Sequence, residues 1–110
     1  MSDITNVIAK ARRLTLRRVR LTVESGPDAG RSIELDHDVL RLGTSDRNDL
    51  VLTDDTISRS HAEVVRTAHG VLLRDLDSTN GTFVGPIRVR EVYLGDEQRF
   101  RIGQIGRAHV

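Results

Sequence analysis

The sequence predicts an all-β sandwich, and three observations carry that expectation. From Arg18 onward polar and apolar residues alternate, Val19, Leu21 and Val23 against Arg20, Thr22 and Glu24, the pattern of a strand with one buried face. About ten short strands follow along the chain, with turn signals from Gly, Pro, Asn, Asp or Ser every few residues. Antiparallel strands with one polar face bury the other against a second sheet, so the expected architecture is two sheets around one core. A chain of 110 residues has room for one such core and not for two.

The first stretch, residues 1–17, stands apart. Ile4, Val7, Ile8, Ala11 and Leu14 recur at helical spacing, so this stretch is expected to be a weakly helical or disordered arm ahead of a domain spanning residues 18–110. Its charge is also distinct: residues 1–20 hold Lys10, Arg12, Arg13, Arg17, Arg18 and Arg20 against Asp3 alone. The other ninety residues are mildly acidic, and the whole chain is near neutral at +1. Six positive charges attract phosphate regardless of sequence, which makes a nucleic-acid contact through the arm one minor reading.

The domain is expected to begin with a hairpin, Arg18 to Glu24 and Arg31 to Leu35, closed by the turn Ser25-Gly26-Pro27-Asp28-Ala29-Gly30. Val39 to Gly43 is a third strand, ended by the polar loop Thr44 to Asp49, and Leu50-Val51-Leu52 a short buried one. After the turn Thr53 to Thr56 comes a second hairpin, His61 to Thr67 and Val71 to Leu76, joined by Ala68-His69-Gly70. Thr82-Phe83-Val84, then Ile87 to Tyr93 read as a single strand, then Gln98 to Ile102 complete the series. The second hairpin brings two polar clusters, Ser58-Arg59-Ser60-His61 and Ser78-Thr79-Asn80-Gly81-Thr82, to the same end of one sheet. Hydroxyls, amides and a guanidinium converging from fixed loops suit an anion carried on a peptide.

Composition removes several classes of function. No apolar run approaches the roughly 20 residues that span a bilayer, and no continuous apolar segment follows the basic amino terminus as a signal peptide requires, so no membrane and a cytoplasmic location are expected. Without cysteine there are no disulfides or thiolate metal sites, and His37, His61, His69 and His109 lack ligand spacing, so neither metal nor cofactor is expected. Asp46, Asp49, Asp54 and Asp55 read as turn formers and solvated acids rather than a calcium loop. With Phe83, Phe100 and Tyr93 the only aromatics, stacking on nucleic-acid bases is a poor mechanism. Ser58, His61 and Asp75 invite a nucleophile, base and orienting acid, but no nucleophile elbow or oxyanion hole accompanies them, so no catalytic residue and no enzyme are expected.

Gly43, Asn48-Asp49-Leu50-Val51-Leu52, Ile57-Ser58-Arg59-Ser60-His61-Ala62, Leu76 to Val84, Leu94-Gly95-Asp96 and Ile102-Gly103 together resemble the forkhead-associated (FHA) domain, over roughly residues 18–110. The resemblance implies an eleven-stranded SMAD/FHA-like sandwich of two antiparallel sheets, whose loops at one end bind phosphothreonine peptides. It implies that Ser58 and Thr79 face the phosphate with Arg59 beside them, that Asn80 holds the ligand main chain, and that Gly43, His61 and Gly81 support the loops. Thr44 departs from the family pattern, which places arginine directly after this glycine; Arg47 is the nearest substitute. The expected function is a phosphothreonine-dependent interaction module in bacterial signalling and transcription regulation. The alternative is a degenerate FHA domain whose homotypic or regulatory protein contacts need no phosphate. Gly43-Thr44-Ser45 and the segment Val23 to Gly30 are similar to the amino-terminal FHA module of bacterial sigma-54-dependent activators, which implies further carboxy-terminal domains as partners. The arm itself is a second candidate ligand, through phosphorylation of Thr5 or Thr15.

Overall fold

In the computed structural model, which describes residues 5–11 and 19–103, eleven strands form two sheets that enclose one core. The strands are β1 (Thr5–Ala11), β2 (Val19–Val23), β3 (Ser32–Glu34), β4 (Val39–Gly43), β5 (Leu50–Val51), β6 (Ala62–Thr67), β7 (Gly70–Asp75), β8 (Thr82–Val84), β9 (Ile87–Arg88), β10 (Glu91–Leu94) and β11 (Gln98–Ile102). One sheet has the order β3-β2-β1-β11-β8-β9 and the other β10-β7-β6-β4-β5. Val7, Leu21, Val23, Phe100 and Ile102 of the first face Leu40, Leu42, Val64 and Leu73 of the second, all buried in one cluster. No helix occurs among the described residues.

Three features differ from the sequence expectation. Residues 5–11 are not a helical arm but the strand β1, which pairs antiparallel with β2 and β11 near the middle of the larger sheet. Thr5, Val7 and Ala9 point inward and are buried, while Asn6 and Ile8 are half-buried, so the true period is two. The segment Ile87 to Tyr93 is two strands: β9 pairs with β8 in the larger sheet and β10 with β7 in the smaller, the chain crossing between sheets at Val89 and Arg90. The sheets are antiparallel except at β4 and β5, which run parallel.

The register decides where the loops gather. Leu42 lies opposite Ala62 and beside Leu50, and Ala62 lies opposite Asp75. The loops 44–49, 52–61 and 76–81 therefore leave the same end of the smaller sheet. A backbone hydrogen bond of 3.1 Å from Gly103 N–H to the Gly81 carbonyl ties the third loop to the other sheet.

Candidate functional site

The three loops are held by a network of buried polar groups. His61 is fully buried, and its Nδ1 accepts a hydrogen bond from the Ser58 backbone N–H at 3.0 Å while Nε2 lies 2.8 Å from the Gly81 carbonyl. A carbonyl can only accept, so Nε2 carries the proton and the ring is neutral. Burial pushes the His61 pKa below its ordinary value, against the opposing pull of the Gly81 hydrogen bond and the nearby Asp75 carboxylate. The imidazole thus bridges the loop of Ser58 to the loop of Gly81. It meets the backbone of Ser58 rather than its hydroxyl, so no serine-activating base is formed.

Asp75 organises the third loop. Burial opposes ionisation of its carboxyl, but hydrogen bonds from the Ser78 hydroxyl (2.5 Å), the Thr82 hydroxyl (2.7 Å) and the Ser78 N–H (3.1 Å) outweigh it and hold the pKa below the usual carboxylate range. The Ser78 hydroxyl in turn accepts from the Gly81 N–H at 3.0 Å. Gly81 has φ of +95°, and a side chain there would meet Phe83 and Arg88 at under 3 Å. Gly43 is constrained from another direction: a Cβ would stand 2.2 Å from the Arg59 carbonyl oxygen. That carbonyl accepts from Asn48 Nδ2 at 2.7 Å and from the Ser45 N–H, while the Thr44 N–H donates to the Ser58 carbonyl.

Between the loops lies an open groove lined by Thr44, by residues 51–59 except Asp54, and by Thr79 and Asn80. Five of the six ligand-contacting residues expected from the sequence thus share one concave surface. Arg47 does not: it is exposed on the loop 44–49, outside the groove lining. Ser58 Oγ accepts the Thr79 N–H at 3.0 Å, which leaves its own hydrogen for a ligand. Asn80 Nδ2 donates to the Thr56 carbonyl at 2.7 Å, and its Oδ1 has no hydrogen-bond partner among the described residues, which leaves it as an acceptor. The Arg59 guanidinium is exposed and makes no hydrogen bond or ion pair among the described residues.

Four supporting residues escaped sequence reasoning. Asp54 is buried, not solvated: its carboxylate accepts from the hydroxyls of Thr5 (2.8 Å) and Thr56 (2.8 Å) and from the Thr56 N–H (2.9 Å). Thr5, taken as a phosphorylation candidate, is consequently fully buried and engaged, while Thr15 falls outside the described residues. Asp28 is likewise buried and receives the N–H and hydroxyl of Thr53. Asn48, also buried, donates its Nδ2 to the carbonyls of Ser45 (2.8 Å) and Arg59 and so joins the loop 44–49 to the loop of Ser58. The position of Asp28, Asn48 and Asp54 in Asx-containing turns was the available signal, but that composition also describes any exposed turn.

A family model described as the inner membrane component of T3SS, cytoplasmic domain, matches residues 22–107. A solved structure from work on phosphothreonine-dependent FHA domain interactions superposes with a TM-score of 0.65 at 27% identity, over 91% of this chain and 90% of its own. The chain belongs to this domain family and is an FHA domain. The FHA domain is 39% identical over 82% of its length to an ABC transporter ATP-binding/permease protein of Mycobacterium tuberculosis, and 33% identical over 76% to the glycogen accumulation regulator GarA of the same organism. It spans 9% of the transporter and 52% of GarA.

Proposed function

We propose that the FHA domain is a phosphothreonine-dependent protein interaction module of bacterial signalling and transcription regulation, reading its ligand in the groove between the three loops. The observation that carries this is the convergence of Ser58, Arg59, Thr79 and Asn80 on one open surface, each with a polar group still available to a ligand. A phosphothreonine brings three acceptor oxygens and a charge of about −1.5 to −2. The Ser58 and Thr79 hydroxyls and the Arg59 fork supply donors from two loops, and Thr44 adds a third hydroxyl where relatives of the resemblance place arginine. Asn80 Oδ1 is set to accept a ligand main-chain N–H. Net gains of roughly 1.5–3 kcal/mol per charge-assisted bond give modest, reversible docking.

The motifs around Gly43 and Val23 favour a place ahead of the further domains of a sigma-54-dependent activator, in the cytoplasm. A second reading, phosphate-independent association, is favoured by one feature: Arg47 is off the groove, so a single guanidinium serves the anion. Isothermal titration with a phosphothreonine peptide library and its unphosphorylated twin separates the two. Binding of the phosphorylated set alone, lost in Ser58→Ala, supports the first; an equal response to both sets supports the second.

A further inference from the structure

The outer face of the smaller sheet carries two side-chain rows that the groove does not use. Strand register sets Arg41, Glu63, Arg74 and Glu91 side by side across β4, β6, β7 and β10. Their signs alternate, and ion pairs join each neighbour: Arg41 to Glu63 at 3.5 Å, Arg74 to Glu63 at 3.0 Å and Arg74 to Glu91 at 2.8 Å. Two residues further from the groove, the same four strands align Val39, Val65, Leu72 and Tyr93. These point away from the core, since Leu40, Val64 and Leu73 beside them fill it. Val39 is 39% and Tyr93 52% exposed, and Leu72, though only 7% exposed, lies outside the core cluster.

We propose that this face binds a second copy of the chain about a two-fold axis parallel to the strands, between β6 and β7. Such an axis keeps each row at its own level and reverses the strand order. Arg41 then faces Glu91 of the second copy, both well exposed, and Arg74 comes level with the second copy's Glu63, which its own Arg41 and Arg74 cover, so each position in the row lies opposite one of contrary sign. In the apolar row Val39 meets Tyr93 and Val65 meets Leu72. An axis running across the strands instead inverts the order of the rows and loses this register of charge on charge. Self-complementarity of a patch under a two-fold is what an isologous interface demands.

The patch is small. Four strands about 4.8 Å apart span roughly 15 Å and the two rows lie about 7 Å apart, an area on the order of 100–200 Å² in projection and well short of the ~800 Å² per partner of a standard interface, so the dimer is weak and concentration-dependent. Because the axis runs along the strands, both loop ends point the same way. Two grooves then face one side, a geometry for doubly phosphorylated or clustered ligands; this consequence rests on the proposed function, the dimer does not.

Sedimentation velocity of the unliganded chain over a wide concentration range tests the dimer directly. The wild type is expected to show reversible monomer–dimer exchange. Val39→Glu and Tyr93→Lys, both at exposed positions, each weaken it roughly tenfold or more by setting an unpaired charge against an apolar residue at both ends. Mixing the two variants restores association, since the mixed pair has Glu against Lys at one end and Tyr93 against Val39 at the other. Circular dichroism establishes that each variant is folded. A wild type that stays monomeric throughout, variants that dimerise as the wild type does, or a mixture no better than its components would each overturn the proposal. A different protein as occupant of this face gives the first of these results.

Discussion

At the scale of single residues, the proposed function divides the groove into groups that would touch a ligand and groups that hold those in place. Ser58→Ala and Arg59→Ala are expected to weaken phosphopeptide binding by ~1–3 kcal/mol each while the fold persists, because each deletes a donor from an exposed or half-buried side chain. Calorimetric titration of both variants, with urea unfolding as control, checks this. His61 belongs to the second group and gives a pH signature. Its folded pKa lies below the ordinary 6.5, so below about that pH the unfolded chain takes up a proton that the folded ring resists. Stability from this residue is complete above that value and declines as pH falls through it, which urea midpoints at successive pH values would show. Asp75, whose folded pKa is depressed, contributes in a lower window: its share is complete above the ordinary 3.8 and is lost as pH falls toward the folded value. Replacing His61 with Gln should flatten the upper of the two declines; an unchanged profile would assign it elsewhere.

At the scale of elements, the loops are positioned by contacts that come from far along the chain. The Thr5 hydroxyl on β1 reaches Asp54, Asp54 holds Thr56, and the Thr56 carbonyl holds the Asn80 amide, so the first strand braces the ligand loop through three hydrogen bonds. Asp54→Ala should destabilise the fold by about 1–3 kcal/mol, the cost of leaving buried donors unsatisfied, and should loosen Asn80. Amide exchange at residues 54–57 and 79–81, faster than in the wild type, is the expected readout. Gly43→Ala tests the opposite kind of constraint. With a Cβ only 2.2 Å from the Arg59 carbonyl, β4 and the Ser58 loop must part, and a loss of roughly 1–3 kcal/mol in urea unfolding is expected. Much of this level was legible beforehand. The period of two located β2, short apolar-rich segments between turn residues located β4, β6, β7 and β11, and the hairpin of β6 and β7 placed both polar clusters at one end. β1 escaped because Ile8, on the outer face, is apolar like Val7, and the pair imitates a helical stripe. The crossing at Val89 and Arg90 escaped because no Gly or Pro interrupts Ile87 to Tyr93; its one mark in the sequence is the polar pair Arg90-Glu91, where the alternation breaks. Buried acids such as Asp28 and Asp54 share their composition with exposed turns, and only the packing of distant strands distinguishes them.

For the whole molecule, the sandwich is a rigid frame that presents three loops at one end and a patterned sheet face on its side. The core of both sheets fixes the distance between the Ser58 and Asn80 loops, and His61 at its rim joins them. Such preorganisation spares a ligand the cost of ordering the loops. The site was legible in the sequence as a cluster of donors, and the structure adds which atoms remain for a ligand: the hydroxyl hydrogen of Ser58, the guanidinium of Arg59 and Oδ1 of Asn80. It also places Arg47 outside the groove, so in the function we propose the anion would depend on Arg59 and the hydroxyls of Thr44, Ser58 and Thr79.

The most direct test of that claim is a titration of the folded domain with a phosphothreonine peptide library and with its unphosphorylated twin, followed by amide chemical shifts. Saturable shifts at Ser58, Arg59, Thr79 and Asn80 are expected with the phosphorylated library alone. An absence of shifts there, or equal shifts with both libraries, would contradict that claim.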